Sequence, residues 1–193
     1  MLYKIRDRFS KVSISIGIVF SKLRLSPNQW TLLTLIPVIL AAYFILQESF
    51  LFAALFFILA SFFDLIDGSV ARVTGRVTQL GAYLDTIMDR YVEFIIIFSL
   101  LFISLPTVYM NTHIWLFLYL FGAMLTTYAK AAAKEKLDKE IKGGLFERAE
   151  RLIILFLGIL LAYFSTSYLV YVIIILAVVS NITAIQRIIT AVK

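Results

Sequence analysis

The sequence predicts an all-α, polytopic membrane protein: six transmembrane helices preceded by an N-terminal amphipathic helix at the membrane interface. Three observations predict it. Of the 193 residues 62% are hydrophobic and only 16% charged, with a mean hydropathy of +0.96, whereas soluble domains are roughly 45–50% apolar. Apolar runs near the ~20-residue length of a bilayer crossing recur over 28–47, 50–73, 79–105, 112–134, 147–164 and 168–189. Lys and Arg, finally, gather on alternate sides of those runs. One side receives Lys4, Arg6, Arg8, Lys11, Lys22, Arg24, Arg72, Arg76, the stretch from Lys130 to Arg151, Arg187 and Lys193; the other receives none. The positive-inside rule then puts both termini and the long basic connection in the cytoplasm of a multi-pass cell-membrane protein.

The elements follow in order. In residues 1–25, Leu2, Ile5, Phe9, Val12, Ile16, Val19 and Leu23 recur every three or four positions with basic residues and serines between them, the pattern of a cytoplasmic-face amphipathic helix. Serines break the apolar stretch and no small-x-small site precedes a soluble region, which argues against a signal peptide. In span 1, Pro37 either kinks the helix or is tolerated in a straight one. Spans 2 and 3 are joined by the short turn 74–78, so they are antiparallel neighbours. The connection 135–146 is charged and carries Gly143-Gly144, and Tyr109, Trp115, Tyr163 and Tyr168 suit an interfacial belt on the opposite side. No linker or repeat divides the chain, so 1–193 reads as one membrane domain, with the surface helix over 1–25 and the bundle over 28–189.

Composition narrows the chemistry. The net charge of +6 is accounted for by sidedness, without nucleic acid. The absence of cysteine excludes disulfides, thiolate metal sites and cysteine nucleophiles, and the single His113 excludes a histidine cluster. Carboxylates, basic groups and a bound metal remain.

Asp64 and Asp67 stand i, i+3 near the cytoplasmic end of span 2, and Asp85 and Asp89 stand i, i+4 near the start of span 3. Each pair shares a helix face, and the short turn sets the two pairs at a similar depth, facing each other. A carboxylate inside a span costs about 2.5–3.5 kcal/mol, so four together call for cations between them. Arg72 and Arg90 can offset two; two opposed pairs of oxygen ligands suit two hard divalent ions, Mg²⁺ or Mn²⁺, the usual clamp for displacement at phosphorus. A packing network of ion pairs is poor value for stability. A cation channel or transporter is the competing class, but spans 2 and 3 are almost wholly apolar beyond Asp64 and Glu93. Gly68, Ala71 and Gly81 clear space around the carboxylates. Arg72 suits a phosphate contact or snorkelling to the headgroups, and Glu93 either extends the site or pairs with Arg90.

The pattern Asp64-x2-Asp67-Gly68-x2-Ala71-Arg72-x8-Gly81-x3-Asp85-x3-Asp89 resembles the signature of the CDP-alcohol phosphotransferase family at every fixed position, and Ser26-Pro27-Asn28-x2-Thr31 resembles the family's approach to span 1. The resemblance implies transfer of a substituted phosphate from a CDP-linked lipid to an alcohol, with release of CMP, in a homodimer. It implies that Asp64, Asp67 and Asp85 bind a first metal and that Asp67, Asp85 and Asp89, or a subset, share a second. Asp89 becomes the general base, and Asn28, Thr31, Asp64, Gly68, Ala71, Arg72 and Gly81 the CDP site. No serine or histidine in the cluster suggests a covalent nucleophile, so direct transfer is favoured.

For the acceptor, Lys130, Lys134, Arg148, Arg151 and Arg187 form a basic group on the aspartates' side, which suits a phosphorylated alcohol; each is also explicable as a positive-inside flank. Glu147-Arg148-x2-Arg151 resembles the segment opening span 5 in family members that use inositol phosphate. Inositol phosphate is therefore the expected acceptor, giving a phosphatidyl- or archaetidylinositol phosphate. Glycerol 3-phosphate, or a CDP-inositol donor, are the alternatives.

Overall fold

A computed structural model of the chain describes residues 6–141 and 143–193, with side chains from residue 12 onward. The predicted Leu2, Lys4 and Ile5, and the side chains of Arg6, Arg8, Phe9 and Lys11, lie outside the described residues. Eight helices and no strands are formed: α1 (Arg6–Ser21), α2 (Pro27–Leu33), α3 (Leu35–Leu46), α4 (Phe50–Thr74), α5 (Gln79–Leu100), α6 (Thr112–Leu137), α7 (Arg148–Leu161) and α8 (Thr166–Val192), all among the described residues.

Local chemistry sets most of the boundaries. Ser26 caps α2 with a reciprocal box, its hydroxyl accepting from Gln29 N while its own N–H donates to Gln29 Oε1, and Pro27 fills the first turn. Pro37 does break span 1: it has no N–H to offer the Leu33 carbonyl, and the helix divides at Thr34 into α2 and α3. Past α4, Gly75 takes a left-handed φ of 67° and Arg76 N–H returns to the Ala71 carbonyl at 3.0 Å, the glycine-dependent stop of a Schellman turn. The predicted span 3 runs too long. Apolar residues continue to Leu105, but α5 ends at Leu100, and Pro106 disfavours helical backbone in the residue before it.

Four helical stretches are long and apolar enough to cross a bilayer: Pro27–Leu46, α4, α6 and α8. Helix α5 has 22 residues but carries Asp85, Asp89, Arg90 and Glu93. Helix α7 has 14 residues, about 21 Å at 1.5 Å each. The chain is a multi-pass membrane protein.

The chain forms two compact units, one of residues 1–42 and 55–95, the other of 43–54 and 96–193. In the first, Trp30, Ile66 and Val70 form a buried cluster against which Ile16, Phe20, Leu25, Leu33 and Phe63 pack. Phe20 and Phe63 meet the Trp30 ring edge-on at 5.5 and 5.7 Å. Helix α1 docks on α4 through Gly17, where an added Cβ would stand 2.5 Å from the Ser69 carbonyl oxygen. Of the predicted stripe, Ile16 packs inward, whereas Val12, Val19 and Leu23 are exposed at the protein surface.

In the second unit α6 crosses α8 at Gly122, whose missing side chain admits Asn181, and Asn181 Nδ2 donates to the Leu118 carbonyl at 2.9 Å. Thr126 Oγ1 lies 3.2 Å from the Ser180 carbonyl, and Gly158 of α7 fits under Leu169 and Val172 of α8. Small residues at these crossings let backbones approach where apolar surface alone provides no driving force. The turn before α6 is stitched by Thr112 donating to the Pro106 carbonyl and Trp115 donating to that of Val108.

Candidate active site

Helix α4 carries Asp64 and Asp67, and α5 carries Asp85 and Asp89. One carboxylate oxygen from each of Asp64, Asp85 and Asp89 lies within 4.8 Å of the others. Three hard oxygen donors at that spacing, without nitrogen or sulfur, suit a divalent cation of the Mg²⁺ or Mn²⁺ type. Asp67 is not one of these three. It is 5% exposed, and its Oδ2 accepts the Thr31 hydroxyl at 2.6 Å, although Asp64 and Asp85 remain close enough to act on its charge. Glu93 is settled as a partner of Arg90: it is fully buried and receives Arg90 Nη1 at 3.1 Å, while Arg90 Nη2 stands 4.0 Å from Asp89.

A cavity of about 810 Å³ opens beside the carboxylates. Asn28, Thr31, Asp64, Gly68, Ala71, Arg72 and Gly81 all line it, together with Asp67 and Asp85. Both glycines sit close under neighbouring side chains. A Cβ on Gly68 would lie 3.3 Å from Arg72 Nη1, and one on Gly81 would lie 3.2 Å from Asn28 Oδ1. The lining also includes Arg76 and Thr78, which the sequence pattern does not single out. Thr78 accepts the Gly81 N–H at 3.0 Å, and a threonine just before a helix start is the available signal. Arg76 counts in the sequence only toward sidedness.

The predicted basic group divides. Arg151 and Arg187 are buried at 1% and 8% exposure, and Arg148, one turn before Arg151 on α7, is half-buried. Arg187 Nη1 donates to the Thr126 carbonyl at 3.0 Å. Its Nε is buried with no acceptor among the described residues, and Glu147 and Arg151 are its charged neighbours. Gly144 lies against it, since a Cβ there would stand 3.3 Å from Nε, and Leu145 N–H ties the loop to Gln186 of α8 at 3.0 Å. Lys130, by contrast, is exposed, and Lys134 is held in a surface pair with Asp138 at 2.7 Å. Asp138 reaches back from the left-handed residue that ends α6.

A family model, CDP-alcohol phosphatidyltransferase, matches residues 24–184. The chain belongs to that family. The archaetidylinositol phosphate synthase of Pyrococcus horikoshii is 31% identical over all of this chain and 97% of its own length. Among solved structures, the phosphatidylinositol phosphate synthase PgsA1 of Mycobacterium tuberculosis with CDP-DAG bound superposes with a TM-score of 0.83 at 29% identity, covering 94% of each chain. The same enzyme in complex with manganese and citrate gives 0.83 at 28% identity, over 94% of this chain and 89% of that one.

Membership in the CDP-alcohol phosphatidyltransferase family makes the chain a transferase of substituted phosphate groups in phospholipid biosynthesis. The reading of the aspartates as an ion path therefore falls away, and their cluster is compatible with divalent-metal binding by a transferase.

Proposed function

We propose that the chain transfers the phosphatidyl or archaetidyl group of a CDP-linked lipid to a hydroxyl of inositol phosphate, releasing CMP. The observation that carries this reading is the cluster of Asp64, Asp85 and Asp89, two of which, Asp64 and Asp85, line a cavity shared with Asp67, Arg72, Gly68 and Gly81. The named activities of the Pyrococcus and Mycobacterium relatives support the acceptor.

Asp64, Asp67, Asp85 and Asp89 hold two divalent ions, Mg²⁺ or Mn²⁺. When bound, such ions neutralise the diphosphate and stabilise charge on the departing CMP. Asn28, Thr31, Gly68, Ala71 and Gly81 shape the nucleotide site, and Arg72 faces the diphosphate. Asp89 takes the proton of the acceptor hydroxyl as its oxygen bonds to the lipid-linked phosphorus and the bond to CMP breaks. No enzyme-bound intermediate forms, so positioning and fixed charge supply most of the rate.

Arg148, Arg151 and Arg187 grip the acceptor's phosphate. Arg187 Nε, buried without an acceptor among the described residues, supports this because a planar guanidinium suits an anion's oxygens. Lys130 and Lys134 serve as outer flanking charges. In the membrane, α5 and α7 complete six spans, α1 lies along the cytoplasmic face, both termini and the site face the cytoplasm, and the enzyme is a homodimer.

The test is CMP release by detergent-purified protein with CDP-diacylglycerol or CDP-archaeol and Mg²⁺, offered inositol 1-phosphate, glycerol 3-phosphate, inositol or serine, with Asp89→Asn as control. Release that requires inositol phosphate and is lost in the variant is expected. Release with glycerol 3-phosphate instead would replace the acceptor, and release only in a parallel assay with CDP-inositol in place of the CDP-lipid would replace the donor.

A further inference from the structure

Arg72 faces the donor cavity, yet among the described residues no carboxylate holds it. Its hydrogen-bond acceptors there are two serine hydroxyls: Nη2 lies 2.7 Å from Ser13 Oγ of α1 and 3.4 Å from Ser69 Oγ of α4. Proton counting orders the contacts. A serine hydroxyl has one proton, and Ser69 gives its own to the Leu65 carbonyl at 2.7 Å. The 2.8 Å bond between the two serines is therefore donated by Ser13. That leaves the lone pairs of Ser13 for the arginine, and the bonds run one way from Arg72 to Ser13 to Ser69 to the Leu65 carbonyl, an arrangement in which each bond polarises the next.

Neutral acceptors orient a guanidinium without cancelling its charge, as a carboxylate partner would. The geometry around these bonds is tight. Gly17, one turn after Ser13, brings α1 against the Ser69 carbonyl, and Gly68 leaves the surface beneath Arg72 bare.

We infer that Ser13 is a positioning residue, through which α1 holds Arg72 in the orientation that meets the diphosphate of a CDP-linked donor. This rests on the reading of Arg72 as a donor contact. Ser13 itself stands outside the cavity lining and acts only through the arginine.

The test is a double-mutant cycle on the full chain in detergent. CDP-diacylglycerol affinity, the KM for each substrate, kcat and the melting temperature are measured for Ser13→Ala, Arg72→Gln and the pair. Ser13→Ala is expected to weaken CDP-diacylglycerol binding and raise its KM about three- to tenfold, the scale of one hydrogen bond, with the acceptor KM and the melting temperature held. In the Arg72→Gln background it should add nothing, and Ser13→Thr, which keeps the hydroxyl, should stay within about twofold of the parent. An effect that persists in full in the Arg72→Gln background overturns the inference in favour of general packing. So does normal binding by Ser13→Ala when Arg72→Gln binds poorly, an outcome that leaves the donor contact standing. If Arg72→Gln itself binds CDP-diacylglycerol normally, the donor role of Arg72 has failed, and the role of Ser13 with it.

Discussion

Thr31 Oγ1 donates a 2.6 Å hydrogen bond to Oδ2 of Asp67, the most deeply buried of the four signature aspartates. The bond joins α2 to α4 and fixes which way the Asp67 carboxylate turns. Thr31→Val keeps the shape and deletes the donor, leaving a buried carboxylate oxygen unsatisfied at a cost of about 1–3 kcal/mol. A lower melting temperature is expected for Thr31→Val and a near-parental one for Thr31→Ser. Equal melting of all three proteins would show that the bond contributes nothing.

Asp89→Asn removes the proposed base together with one of the three clustered carboxylates, so it is assayed at saturating metal. With Mn²⁺ present, kcat should fall about 10²–10⁴-fold, the usual worth of a general base, while CDP-diacylglycerol still binds. A variant that turns over normally would return the base to another group.

Metal dependence is expected to follow the three-carboxylate cluster. EDTA should abolish CMP release and excess Mn²⁺ restore it. Asp64→Asn and Asp85→Asn should each weaken Mn²⁺ binding in a titration followed by electron paramagnetic resonance. Parental affinity in both variants would remove these residues from the ligand set.

Among the basic residues the effects should be unequal. Arg187→Lys keeps the charge but loses the planar fork, and a rise of about tenfold or more in the acceptor KM, with the donor KM unchanged, is the expected result. Lys134→Gln disturbs only an exposed pair, worth about 0–1 kcal/mol, and should leave both KM values in place. Kinetics that rank the two variants the other way would move the acceptor site outward.

Gly122→Ala tests packing in the second unit. The added methyl would meet Asn181 Nδ2 at 2.7 Å and its backbone N at 2.8 Å, and overpacking of this kind costs about 1–3 kcal/mol. Melting temperature should drop with little change in either KM; an unchanged melt would mean that the crossing relaxes freely.

The aspartate pairs are legible in the sequence because their spacing and the short turn between their helices fix a shared face and depth. The break at Pro37 and the cap at Ser26 are legible because they are local backbone chemistry. The packed face of α1 is not. An apolar stripe marks the buried side of a helix in water, but beside lipid the packed side is marked by small and polar residues, and here Ser13 and Gly17 face α4 while Val12 and Val19 look outward. Lys134 escapes the sequence for a different reason. Counting charge by side does not reveal that the αL residue ending α6 turns Asp138 back onto it.

The polar rungs between α6 and α8 limit how these helices can move. Asn181 donates to the Leu118 carbonyl and Arg187 to the Thr126 carbonyl, while the Thr126 hydroxyl bonds the Gly122 carbonyl of its own helix at 2.7 Å and only approaches that of Ser180 at 3.2 Å. Sliding one helix past the other by a single turn, about 5.4 Å, would break both interhelical bonds together, in surroundings with little water to replace them. These bonds therefore oppose piston-like travel of α8 past α6 and tie the height of Arg187 to that of Thr126, a ratchet without a second notch.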